Sequence, residues 1–106
     1  MKPLPDGLGA YKRTTTFTEA TLPAGLLGEH RTRAGTWGVI HVLRGEVLYR
    51  ILAPAAPTDE GDISAADIAD VEEHLLRPGV PGIVEPTVPH HLELRGPVEL
   101  YVEFHR

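Results

Sequence analysis

The run Val98–His105 (VELYVEFH) alternates without a break: Val98, Leu100, Val102 and Phe104 are apolar, whereas Glu99, Tyr101, Glu103 and His105 are polar or amphipathic. A period of two sends successive side chains to opposite sides of an extended backbone, so this stretch covers its apolar half only as a β-strand with one buried face. Weaker versions of the same rhythm fill the rest of the chain. Tyr11–Thr18 (YKRTTTFT) is rich in β-branched and aromatic residues, and Lys12 and Arg13 suit it to a sheet edge. Trp37–Leu43 (WGVIHVL) is apolar on both faces, which fits a central strand or one closed inside a barrel. Val47–Leu52 and Val71–Leu76 complete the set, with Gly45 marking a reversal at hairpin-like distance between Trp37–Leu43 and Val47–Leu52.

Glycines and prolines punctuate these runs at Pro23-Ala24-Gly25, Ala34-Gly35, Pro78-Gly79, Pro81-Gly82 and Arg95-Gly96-Pro97. About eight short strands follow from this spacing, with no helix longer than a turn or two, so the expected class is all-β: a sandwich or a small barrel. At 106 residues the chain is read as one domain, 1–106, of a size that buries roughly two thirds of its unfolded surface. Residues 53–70, rich in Pro, Ala and Asp, read as a long variable loop in which Ser64 can cap one helical turn.

Composition removes several functions. Ten Lys and Arg against 15 Asp and Glu give a net charge of −5 with no basic stripe, so neither nucleic acid nor a membrane surface is an expected partner. No apolar run is long enough to span a bilayer, and Pro3, Pro5 and Gly7 break the first nine residues against a signal-peptide pattern; a cytoplasmic protein is expected. Without cysteine, any metal must be held by nitrogen and oxygen. The only serine, Ser64, lies in the loop rather than in a glycine-flanked elbow, and Gly7-Leu8-Gly9 follows no strand, so nucleophilic catalysis and phosphate binding find no support.

Histidines supply the remaining chemistry. After the turns of Pro78–Gly82, His90, Leu92 and Leu94 share one face and His91, Glu93 and Arg95 the other, which points His90 inward. In Leu26–Arg33 the same logic groups Leu26, Gly28, His30 and Thr32 against Leu27, Glu29, Arg31 and Arg33, pointing His30 inward. Two inward imidazoles on separate strands define a candidate metal site, to which Glu85, fixed by Pro86 five residues before His90, is the first further ligand. His41, between Ile40 and Val42, is the other; its face is not readable. The expected cofactor is a divalent metal: zinc, iron, manganese or nickel. Each candidate has a plainer role, a core histidine bonded through one ring nitrogen or a solvated glutamate at a turn. Glu103, His74, His91 and His105 are expected at the surface, and Trp37 and Tyr49 in the core.

The segments HRTRAGTWGVIHVLRGEVLYR (His30–Arg50), LRPGVPGIVEPTVPHHLE (Leu76–Glu93) and VELYVEF (Val98–Phe104) resemble a small family that includes YeaR-like proteins and the N-terminal domain of the tellurite-resistance protein TehB. The most specific pieces are His30-Arg31-Thr32, Gly35-Thr36-Trp37-Gly38, and Glu85-Pro86 leading to Pro89-His90. The resemblance implies a cupin-like, double-stranded antiparallel barrel of the jelly-roll kind, with His30 in a first metal motif and His90 in a second. The chain departs from that motif, since Thr32 stands where a second histidine is usual and Thr36–Gly38 where a glutamate is usual. The function implied is binding of a metal, a small-molecule ligand, or both. A metal-dependent enzyme of the dioxygenase or isomerase type, and a structural or partner-binding barrel without metal, are the alternatives. The methyl transfer associated with TehB belongs to a separate Rossmann-type domain, and no strand–glycine–helix unit for such a cofactor is found in this sequence. Unpaired strand edges make a homodimer the expected assembly.

Overall fold

The computed structural model describes residues 1–23, 32–53 and 70–106. Eight strands are found among them: β1 (Ala10–Arg13), β2 (Phe17–Thr18), β3 (Trp37–Arg44), β4 (Val47–Ala53), β5 (Asp70–Leu76), β6 (Gly82–Val84), β7 (His90–Leu94) and β8 (Glu99–His105). They form two antiparallel sheets, one ordered β1-β8-β3-β6 with β2 also on β8, the other β5-β4-β7. The two inner faces pack as a sandwich, and no closed barrel forms among the described residues. Those residues contain no helix long and apolar enough to cross a membrane. The expected His30 strand, apart from its end, and the turn at Ser64 lie outside the described residues.

The strictly alternating run is the hub of the first sheet. Leu100 and Val102 on β8 are buried against Ile40 and Val42 of β3, while Phe104 packs on the edge of the same cluster. The expected strand over Tyr11–Thr18 divides into β1 and β2, both on β8. Between them the Thr14 amide donates to the Val102 carbonyl at 2.8 Å and the Thr14 hydroxyl accepts from the Val102 amide at 3.0 Å. That side chain stands in for the missing backbone partner, so the ladder bends there without leaving buried polar groups unpaired.

Gly45 does not close a hairpin. β3 and β4 belong to different sheets, and the turn carries the chain from one to the other. Arg95–Pro97 makes the reverse crossing beside it, tied by the Arg95 amide to the Glu46 carbonyl at 3.1 Å. Gly45 has φ of 83°, and a Cβ there would lie 2.2 Å from the Pro97 carbonyl oxygen, so both conformation and space require glycine.

The second sheet is a three-strand ladder whose rungs set the interior. Val47 lies opposite Leu76 and Leu94, Tyr49 opposite His74 and Leu92, and Ile51 opposite Glu72 and His90. Tyr49, 1% exposed, donates its hydroxyl to the Ile83 carbonyl at 2.9 Å and so ties β4 of one sheet to β6 of the other. Trp37 alternates to the outer face of β3 and is only half-buried, not a core residue.

Candidate functional site

The polar end of the second sheet's inner face builds the site. His90 enters it from β7 because its neighbours Leu92 and Leu94 hold that phase of the strand against the core. It is 4% exposed, its Nδ1 lies 3.3 Å from the Val88 carbonyl oxygen, and its ring meets the Tyr49 ring edge-on at 5.7 Å. Two cavities adjoin this pair. The smaller, about 50 Å³, is lined by His90 and Leu92 with Thr14, Thr32, Ile40 and the end of β8. The larger, about 250 Å³, is lined by Tyr49, Ile51, Glu72, Ile83, Glu85 and Val88, with Met1 and Lys2 at its mouth.

Charge is concentrated in the larger cavity. Glu72 accepts from His74 Nε2 at 2.6 Å and from the Met1 amine, and these bonds hold its carboxyl below the ordinary glutamate range. Lys2 Nζ stands 3.5 Å from Glu85 Oε1. Burial pushes the Tyr49 phenol well above its ordinary value, with the nearby Glu72 and Glu85 charges adding to the shift, so it remains a neutral donor.

The expected ligand set is dispersed. Glu85 and His90 line different cavities, and His41 points away from both, because Ile40 and Val42 take the inner face of β3. His41 instead stacks on Tyr101 at 4.8 Å on the outer face, with Nε2 3.5 Å from Glu103 Oε1. His30 lies outside the described residues. Thr32 does reach the His90 cavity, but its hydroxyl is given to the Thr36 carbonyl at 2.8 Å. Among the described residues no group of three or more His, Asp or Glu is placed to hold a metal ion.

Two groups escaped the sequence reading. Glu72 and His74 share the inner phase of β5 with Leu76, a signal present in the alternation of VEEHLL and obscured by its charges. On β8, His105 is enclosed, with 12% of its side chain exposed, and its Nε2 lies 2.8 Å from Glu103 Oε1. The bond from His105, and less strongly that from His41, holds the Glu103 carboxyl below the ordinary range. His105 and Glu103 stand two apart on one strand face, which was readable; the approach of His41 depends on the β3–β8 register, which was not.

A family model for the TehB-like domain matches residues 12–102. The chain belongs to the TehB-like domain family. It is 32% identical over 83 residues to the probable S-adenosyl-L-methionine-dependent methyltransferase TehB of Haemophilus influenzae strain 10810, and equally so to that of strain Rd. The alignment takes in 78% of this TehB-like chain but 25% of the relative, so the chain spans about a quarter of the length of the curated relatives it matches. The crystal structure of Haemophilus influenzae TehB superposes with a TM-score of 0.70 at 29% identity, covering 94% of this chain and 32% of that one. A protein from E. coli strain K12 superposes at 0.77 with 20% identity, covering 100% and 97%, and shows the same fold.

These relatives and the dispersal of the candidate ligands overturn the expected divalent metal cofactor, whether zinc, iron, manganese or nickel. The physical reason lies in the strand phases. His90 faces inward on β7, the place of the usual second histidine of the first motif is taken by Thr32, whose hydroxyl is committed to the backbone, and Glu85 lines the other cavity, while the expected co-ligand His30 lies outside the described residues.

Proposed function

We propose that this TehB-like domain binds a small organic molecule in the cavity of about 250 Å³ between its sheets. The observation that carries the reading is the composition of that wall. Ile51, Ile83, Val88 and the Tyr49 ring offer apolar surface, and two carboxylates converge on it, the pattern of a ligand pocket with a few orienting groups. A dry cavity of about 150 Å³ accepts a benzene-sized guest, so this volume suits a compact ligand rather than a nucleotide. A screen of small compounds by amide chemical-shift mapping should move Tyr49, Ile51 and Ile83 together. Shifts confined to the outer faces would sink the proposal.

The methyl transfer named for the relatives is assigned, in this reading, to the three quarters of their length that this chain does not match. The described residues are all strand and turn, and lack the strand–glycine–helix unit on which dinucleotide-like cofactors rest. Tight binding of S-adenosylmethionine to the purified chain, seen by calorimetry, would overturn this division.

A homodimer is part of the same proposal. Among the described residues β5, β7 and β6 each have one unpaired side, and Leu43 and Leu75 are exposed, surfaces that a two-fold partner covers. Light scattering at micromolar concentration should give twice the chain mass of 11.6 kDa; the single mass would count against it.

A further inference from the structure

We infer that the larger cavity selects a small organic ammonium ion, a primary amine on a short apolar stem. The inference rests on the ligand-binding reading above and names the ligand's class. Glu72 comes to the cavity from β5 and Glu85 from the segment after β6, so the two carboxylates enter from different sheets. Each already bears an ammonium group of the chain itself. The Met1 amine donates to Glu72, and Lys2 Nζ stands 3.5 Å from Glu85 Oε1. Both carboxylates of the cavity thus already hold the kind of group that the ligand would carry.

The chemistry of the wall excludes the other classes. An ammonium carries three donors and no acceptor, and the carboxylates are acceptors only, so the pair is complementary without a water between them. A carboxylate or phosphate ligand would meet like charge from both glutamates, an effect that water weakens because the Glu72 side chain is 49% exposed and that of Glu85 27%. A neutral alcohol fits the apolar surface of Ile51, Ile83 and Val88 but forgoes the charge-assisted bonds. The Tyr49 hydroxyl is occupied by the Ile83 carbonyl, which leaves its ring as the surface presented to a ligand stem. Of the two resident ammonium groups the Lys2 one is replaceable, since its side chain is 76% exposed and an ion pair in such contact with water is weak. Glu72 keeps one orienting partner whatever occupies the cavity, because His74 Nε2 lies 2.6 Å from the same oxygen the Met1 amine uses.

The test is an amide chemical-shift titration of the full chain with n-butylamine, n-butanol and butyrate, three probes of one size and different charge. Saturable shifts at Tyr49, Ile51 and Ile83 are expected with the amine, with n-butanol binding about ten-fold more weakly and butyrate not at all. Glu72→Gln and Glu85→Gln should each weaken amine binding by about ten-fold in a chain that stays folded, and Lys2→Ala should strengthen it by removing the internal competitor. Equal binding of n-butanol and n-butylamine, or amine binding indifferent to both glutamine variants, overturns the charge selection while the cavity reading stands. Silence of all three probes at these residues removes the charge selection and the cavity reading together.

Discussion

The two ends of the sandwich interior are built from the same three strands and behave as opposites. At one end Val47, Leu76 and Leu94 form a rung of β4, β5 and β7 closed by Leu100 and Val98 of the facing chain. Two rungs away the same strand faces carry Ile51, Glu72 and His90, and the space between the sheets opens into cavities. Tyr49, on the middle rung, is the boundary. The comparison teaches that polarity graded along a strand, rather than across it, places a site: each strand keeps its inward phase but exchanges aliphatic for titratable side chains toward one end.

The largest effect should separate the ends directly. Leu100 is fully enclosed, and Leu100→Ala leaves a hole in a packed region, with an expected loss of about 2–5 kcal/mol in chemical denaturation. Ile51→Ala removes a comparable volume beside a cavity that already exists, so its loss should fall below that of Leu100→Ala. Equal losses would mean that the open end is as tightly packed in solution as the closed one.

The boundary comes next. Tyr49→Phe keeps the ring against His90 and deletes the hydroxyl that bonds the Ile83 carbonyl, leaving that carbonyl short of a partner in a half-buried place. A loss of about 1–3 kcal/mol is expected by urea denaturation, with hydrogen exchange at β6 rising more than at β8. A neutral substitution would show that the sheets are held by packing alone.

Much of this interior was legible in the sequence, and the failures have a common cause. Alternation alone fixes which side a residue takes, so the inner phases of β8 and β7 and the inward His90 could be read from one strand at a time. Pairing between strands is another matter. Gly45 looked like a hairpin because the turn is short, yet its requirement for glycine comes from Pro97, which no local pattern connects to it. His41 had apolar neighbours on both sides and so no readable phase, and the divalent metal rested on His30 and His90, with Glu85 or His41 brought to them across gaps that only the sheet order determines; His30 lies outside the described residues. Glu72 and His74 share their phase with the buried Leu76, which alternation shows, whereas their partial exposure at the cavity depends on what the first residues of the chain place beside them.

Acid titration compares a carboxylate of the open end with one outside the interior. Both Glu72 and Glu103 are held below the ordinary glutamate range, the first chiefly by the Met1 amine and then His74, the second chiefly by His105. A lowered folded pKa contributes stability that is fully present above the unfolded value of about 4.3 and is lost as pH falls through the folded value. Glu72→Gln and Glu103→Gln should therefore each flatten the fall of melting temperature below about pH 4.3 and change little at pH 7 relative to pH 6. If only Glu103→Gln flattens it, the Glu72 contacts at the cavity mouth do not persist in solution.

The smallest effect is expected where the second sheet turns the other way. On its outer face Arg50 contacts Glu73 at 3.2 Å and Glu93 at 3.3 Å, with His91 Nε2 3.4 Å from its guanidinium. Glu73 and Glu93 are about half exposed, as Glu72 is on the other face, so water screens these pairs. Arg50→Ala should cost no more than about 1 kcal/mol, and that cost should shrink between low salt and 1 M salt as the screening length falls to about 3 Å. Part of the loss will persist at high salt, because the arginine stem also covers the sheet beneath it. A salt-independent loss rivalling that of Tyr49→Phe would place a second organising network on this face and end the distinction between a solvated exterior and a graded interior.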